Sequence, residues 1–151
     1  MSFTFESNAD RAVAQWSAKQ VRIPQAMAKV VTLLTLKLLA AVQARAPVLT
    51  GKLRRSIFQE IVVNPVETTG RVYVDATTSP YNRFMEYGTK PHDIYPTKAK
   101  ALAFMVGGKQ VFAAHVKHPG TKPYLYVHGP FEEMRPEIIA KIEGAGREAL
   151  Q

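Results

Sequence analysis

The chain has 151 residues, the length of one domain, with 46% hydrophobic and 21% charged residues. That balance excludes wholesale disorder, a collagen-like repeat and a multi-span membrane protein. Cysteine is absent, which removes disulfide scaffolds, thiolate metal sites and cysteine nucleophiles, and 20 Lys+Arg against 12 Asp+Glu leave a formal charge of +8.

Residues 1–6 lack a basic segment ahead of an apolar run, so no signal peptide is expected and the chain should begin in the cytoplasm. Phe3 and Phe5 alternate with polar residues, which predicts a short edge strand over 2–6. Ser7 is placed to cap a helix, with Asp10 reaching back. Ala9, Val13, Trp16 and Gln20 then share a stripe, and Trp16, the single tryptophan, reads as a core anchor. Pro24 suits the first turn of a new helix, where its missing N–H has no partner anyway.

That helix is predicted over 24–45. Met27, Val31, Leu34, Leu38 and Ala41 form one stripe, and Leu33, Leu36 and Ala40 lie on another side. Apolar residues on several faces call for cover on several sides, by sheet or by a neighbouring subunit. The most apolar run, 30–44, is broken by Lys37 and is shorter than the ~20 residues of a spanning helix, so no membrane is expected. Pro47 ends the helix.

Thr50 can cap a short helix with Leu53 and Ile57 on its inner face. Runs at 57–63 and 71–76 around a turn at 66–70 predict an antiparallel hairpin. A short helix or turn at 80–87 should turn Phe84 and Tyr87 inward. The clearest hairpin signal is Gly107-Gly108-Lys109 between runs 101–106 and 110–116. Residues from Pro123 on read as helical, interrupted at Gly129-Pro130 and near Pro136. Ile138, Ile139 and Ile142 form its apolar face, with Glu132, Glu133, Glu137, Glu143 and Glu148 outside. Gly88-Thr89-Lys90-Pro91 recurs as Gly120-Thr121-Lys122-Pro123, which predicts one local turn built twice. The fold class expected is α+β: a single domain over 1–151, with a long N-terminal helix packed on an antiparallel sheet of hairpins and a C-terminal helix. Residues 1–23 read as an N-terminal extension and 124–151 as a C-terminal helical segment.

Charge is unevenly distributed. From Arg11 to Gln59 there are nine bases and no acid. Such asymmetry fits an acidic partner surface or nucleic acid; it equally fits a solvated helix face whose counter-charges come from the acidic C-terminal segment. The bases are spaced about one per turn without interleaved aromatics, so sequence-specific nucleic-acid binding is not expected. His92, His115, His118 and His128 match no zinc spacing, and no metal or cofactor is expected. Gly144-Ala145-Gly146 comes too late in the chain to open a dinucleotide fold. No nucleophile, base and oxyanion donor assemble, so no enzyme is expected.

Three segments in order carry a resemblance. They are Ala46-Pro47-Val48-Leu49-Thr50-Gly51-Lys52-Leu53-Arg54-Arg55-Ser56-Ile57, then Pro80-Tyr81 leading to Glu86-Tyr87-Gly88-Thr89, then His118-Pro119-Gly120-Thr121-Lys122-Pro123-Tyr124-Leu125. Over roughly residues 25–140 the chain resembles the tail-completion, or neck, family of long-tailed bacteriophages. The resemblance implies a non-enzymatic virion protein, assembled in the host cytoplasm into a homo-oligomeric ring, usually a hexamer. Such a ring sits at the head–tail junction between the capsid connector and the tail, and DNA crosses its lumen without specific binding. Its partners would be the other neck proteins: head-completion or stopper protein, tail terminator and tail tube. The alternatives are a tail terminator capping the tube, or a weak nonspecific DNA-binding module. The interface residues implied are Thr50, Gly51, Arg54, Arg55, Glu86, Tyr87, Gly88, Thr89, His118, Pro119, Gly120, Thr121, Glu132 and Glu133. A basic N-terminal surface and the acidic C-terminal helix are expected to meet across a head-to-tail contact.

Overall fold

Between Arg11 and Arg45 the sequence contains no glycine, asparagine or aspartate, and a helix once started meets only one obstacle, Pro24. In the computed structural model, which describes residues 9–64 and 66–151, α1 runs unbroken from Ala9 to Arg45. The two-helix reading is therefore corrected: residues 9–23 lie in the same helix as 24–45. Proline removes one hydrogen bond and crowds the preceding turn, at about 3 kcal/mol, but helix formers on both sides carry the helix through. The strand expected at 2–6 and the Ser7 cap lie outside the described residues. At about 1.5 Å per residue, 37 residues make a rod of roughly 55 Å. By length and composition alone, the helix over Val13–Arg45 is long and apolar enough to cross a membrane.

After α1 come α2 (Lys52–Arg55) and the hairpin of β1 (Ile57–Val63) and β2 (Thr68–Val74), in register from Ile57↔Val74 to Val63↔Thr68. β2 starts three residues earlier than expected, because Gly70 belongs to the strand. A Cβ at Gly70 would stand 1.9 Å from Thr35 Oγ1 and 3.0 Å from Val31 Cγ1. That glycine lets α1 lie directly on the hairpin. α3 (Asn82–Tyr87) and β3 (His92–Ile94) follow, then the hairpin of β4 (Leu102–Val106) and β5 (Lys109–Ala113). Its turn is Gly107-Gly108, at φ +56° and +80°, the two positive values a type I′ turn needs. β6 (Val116–His118) pairs antiparallel with β3, and α4 (His128–Leu150) packs along α1.

The core forms where α1 crosses β1 and β2. Val42, Ala46, Leu53, Ile57 and Tyr126 are buried, with Leu38, Val72, Val74 and Met85 around them. The inner stripe of α1 thus behaves as predicted at Leu34, buried, and at Met27, Val31, Leu38 and Ala41, partly buried. Leu33, Leu36 and Ala40 stay exposed. Trp16 is 69% exposed and is not part of the core among the described residues; Val13 and Val21 are exposed too.

α4 is continuous through Pro136, and Gly129-Pro130 opens it rather than interrupting it. In a first turn proline loses no bond. Tyr126, just ahead of α4, is 1% exposed, and burial, with help from Glu86 and Tyr81, pushes its hydroxyl up to about 12. A group whose folded-state pKa is raised stabilises below its unfolded value, near 10, and loses that contribution as pH rises toward 12. Thermal stability should therefore fall steeply above pH 10, and Tyr126→Phe should flatten that fall when melting is followed from pH 8 to 12.

Candidate functional site

The first motif segment lends four of its twelve residues to the core. Ala46, Leu53, Ser56 and Ile57 are buried. Ser56 Oγ donates to Leu53 O at 2.7 Å and lies 3.0 Å from Ser79 Oγ, and Asp75 N–H donates to Ser56 O at 2.8 Å. Asp75 in turn accepts from the Thr78 hydroxyl and the Thr77 and Thr78 amides, which holds its carboxyl below the usual range. Gly51 takes φ +74° ahead of α2. Thr50 is exposed, and Arg55 folds back so that its Nη2 donates to Thr50 O at 3.4 Å. Arg54 is exposed to solvent.

The second and third segments are stapled together. Thr89 N–H donates to Thr121 O, and Thr121 N–H donates to Thr89 O, both at 3.1 Å, with the two hydroxyls 3.1 Å apart. The repeated tetrapeptide is thus not one turn used twice independently. Its two copies face each other in a near-symmetric bridge, flanked by Gly88 at φ +70° and Gly120 at φ +85°. Each glycine lies against the other copy's backbone: a Cβ on Gly88 would be 2.3 Å from Thr121 O, and one on Gly120 2.2 Å from Thr89 O.

Glu86 adds a second staple. Although α3 is a short, mostly exposed helix, Glu86 is 6% exposed and accepts the amides of Val127 and His128, each at 2.9 Å. Gly129 N–H donates to Leu125 O, and Pro130 has no N–H. Every orphan donor at the start of α4 is thereby accounted for. In return, the Tyr124 and Leu125 amides donate to Met85 O and Glu86 O at the end of α3. Leu125 holds φ +48°, the one non-glycine residue with positive φ among those described. Glu86, expected at an interface, is buried within the chain and its carboxylate accepts interior amides.

Phe84 and Tyr87, expected to face inward, are 58% and 66% exposed. A six-residue helix has only one inner face, and Met85 and Glu86 occupy it. Two adjoining hollows open around Met85. One, of about 530 Å³, runs between Val48, Thr50 and Gly51 of the first segment and Tyr81 and Tyr124. The other, of about 650 Å³, is lined by Phe84, Gly88, Thr89, Ile94, His118 and Thr121. Residues from all three segments thus meet on one largely apolar surface, which chain order alone does not reveal.

His92 and His118 stand opposite each other in the β3–β6 register, rings 5.1 Å apart. His118 Nδ1 accepts the Gly120 amide at 3.0 Å, so in the neutral ring the proton sits on Nε2, which makes that atom a donor rather than a ligand. Among the described residues no three His, Asp or Glu side chains come near enough to hold a metal. Pro119 is exposed between His118 and the bridge.

The acids of α4 have partners in their own chain. Glu133 pairs with Arg45 and Glu137 with Lys37, each at 2.6 Å, and Glu132 with Arg135 at 3.3 Å. Glu133 and Glu137 pair across the α1–α4 contact, where the packing sets bases of α1 beside them, and Glu132 pairs within α4. The counter-charge reading of the asymmetry holds for these residues. No family model, curated protein or solved structure matches the chain.

Proposed function

We propose that the protein is a non-enzymatic structural component of a phage neck, a homomeric ring that completes the tail and joins it to the capsid connector. One quantity carries the homomeric part. The chain exposes 11847 Å², whereas a compact monomer of 16.8 kDa exposes about 7,600 Å². The excess of about 4,000 Å² over that compact value, to which the 37-residue α1 contributes, supports a covering partner. Much of it is apolar, at Trp16, Leu33, Leu49, Phe84 and Phe112. The phage assignment rests on the three ordered segments, whose side chains converge around Met85. A tail terminator is the nearest alternative within the same assembly.

Electron-microscopy class averages of virions carrying the protein test this reading. A closed ring of density at the head–tail joint is expected; density elsewhere, or catalytic turnover that vanishes in His118→Ala, overturns it. Arg54 and Arg55 are exposed and lie outside the α1–α4 ion pairs. Arg54→Ala/Arg55→Ala should therefore fold as wild type yet fail to join tails to heads, scored by infectivity and particle counts. Normal titres would assign them to solvent. DNA retention by the purified protein should be weak and should fade with salt along a shallow log–log slope.

A further inference from the structure

β2 has an open edge. Its sheet contains two strands, and β1 takes one side of it. Two bonds fix which backbone groups face which way. Asp75 N–H donates to Ser56 O, and Asn64 N–H donates to Glu67 O, both at 2.8 Å. They are opposed pairs at the two ends of one regular register. In an antiparallel ladder such bonded pairs alternate with unbonded ones. Thr69, Arg71 and Tyr73 therefore turn N–H and C=O toward β1, and Gly70, Val72 and Val74 turn theirs away. Gln43 agrees: its Nε2 donates at 3.3 Å to the carbonyl of Ile57, which stands opposite Val74 and likewise points out of the ladder. Among the described residues, no group is bonded to the outward backbone of Gly70, Val72 or Val74.

That edge is one wall of a groove of about 550 Å³, closed on the other side by α3 and the start of α4. The charged side chains along the groove are Arg71 and Arg83 against Glu86, with His128 at the start of α4. Glu86 is buried, and each of its oxygens is already spent on an amide. Arg71 is 3.4 Å from Glu60, and Arg83 has no ion-pair partner among the described residues. We infer that the groove binds an extended acidic segment of another protein, which adds to the edge of β2 as a third strand. A row of outward N–H and C=O groups is matched by an extended backbone, whereas a helix has spent its own backbone groups internally. The pleat of β2 sets Val72 and Val74 on the α1 face and Arg71 on the other. An added strand therefore meets apolar side chains on one face and a base on the other, which selects alternating apolar and acidic residues. A second copy of this chain supplies no such segment among the described residues. Its strand acids are Glu60, paired with Arg71, and Asp93, whose strand pairs with β6. The pairing holds whether or not the chain forms a ring.

The probe is a short fluorescent peptide of alternating valine and glutamate, titrated with the full chain and read by anisotropy. It should bind, and the valine–lysine peptide should bind about tenfold more weakly or worse. Two further forms carry N-methyl groups, one on every valine and one on every glutamate, so that each blocks one edge of the strand. One form should bind like the parent and the other should lose binding. Hydrogen exchange on the complex should slow the amides of Gly70, Val72 and Val74, while those of Arg71 and Tyr73, already paired with β1, change little. Arg83→Glu, at an exposed position of α3, should melt as wild type, bind the glutamate peptide about tenfold more weakly and bind the lysine peptide better. Equal binding by the two methylated forms, or no slowing at those amides, overturns the edge pairing. Equal binding of the glutamate and lysine peptides overturns the acidic partner. Slowing of the same amides with rising protein concentration and no peptide gives the edge to a second copy and overturns the proposal, as does an absence of binding at millimolar peptide.

Discussion

Gly88→Ala and Gly120→Ala should each lower stability by about 3–5 kcal/mol, a large part of the 5–15 kcal/mol that holds a domain folded. Two costs add at Gly88. Its backbone sits at φ +70°, ψ −173°, a region essentially reserved for glycine and costing about 1–3 kcal/mol for any other residue. The new methyl would also overlap the Thr121 carbonyl at 2.3 Å and approach Pro123 N at 2.9 Å, so the bridge must open. Opening it exposes or orphans the two Thr89–Thr121 amide bonds. Gly120 meets the mirror situation against Thr89 O and Lys90 C. Gly107 and Gly108 provide the internal control. Both have positive φ, yet nothing lies within 4 Å of the place a methyl would take. Alanine there should cost only the left-handed conformation, about 1–2 kcal/mol. Urea unfolding of the four variants measures the difference. Equal losses at Gly88 and Gly107 would mean that the bridge contributes nothing beyond its backbone angles.

The contrast between a local turn and a tertiary bridge also explains what is legible in the sequence. The hairpins are legible because each is local: alternating β-rich runs around Gly107-Gly108, or around the turn before β2, state their pairing within about twenty residues. The long helix is legible in its inner stripe but not in its extent, because Pro24 is a local stop signal and its override depends on the helix formers around it. Gly70 misleads for a related reason. A glycine between two β runs reads as a turn, and only the approach of Thr35 shows that it is a contact point in β2. β3 and β6 are not legible at all. Three-residue strands have no periodicity to display, and their partners are more than twenty residues apart.

The candidate surface divides the same way. The repeated Gly-Thr-Lys-Pro is visible as a repetition, and the positive φ of its glycines is predictable, but the reciprocal bridge is a tertiary fact. Thr50, Gly51, Gly88, Thr89, His118 and Thr121 do gather around Met85. Glu132 and Glu133 do not join them, because the antiparallel packing of α4 on α1 gives Glu133 to Arg45 and leaves Glu132 with Arg135. Charge segregation along the sequence does not distinguish a partner within the chain from one outside it. Met85, around which the segments gather, has no sequence signal beyond being an apolar residue in a short helix.

Glu86→Ala should destabilise the fold by about 3–4 kcal/mol, more than loss of any of the ion pairs on α4. Those pairs are surface pairs, with side chains 39–66% exposed among Glu132, Glu133 and Glu137, and each is worth about 0–1 kcal/mol. Glu86 is different in kind. It is buried, and its two oxygens each accept one amide at the start of a 23-residue helix. Truncation leaves the Val127 and His128 donors without partners, at about 1–3 kcal/mol each when buried. It also removes a negative charge from the positive end of the helix dipole, worth up to about 2 kcal/mol in a partly buried setting. Relaxation and water entry return part of that sum. Glu86→Gln should cost less, about 1–2 kcal/mol, because one oxygen can still accept while the amide nitrogen meets a donor. Equilibrium denaturation should show the midpoint falling in the order wild type, Gln, Ala with the slope unchanged. Hydrogen exchange should locate the loss, with faster exchange at Val127 and His128 and in the first turn of α4, and little change in β1 and β2. The staple also holds Tyr124 and Leu125 beside Met85, so the hollow should loosen with it. If Glu86→Ala melts like wild type, the start of α4 is capped by water and the two segments are held by the threonine bridge alone.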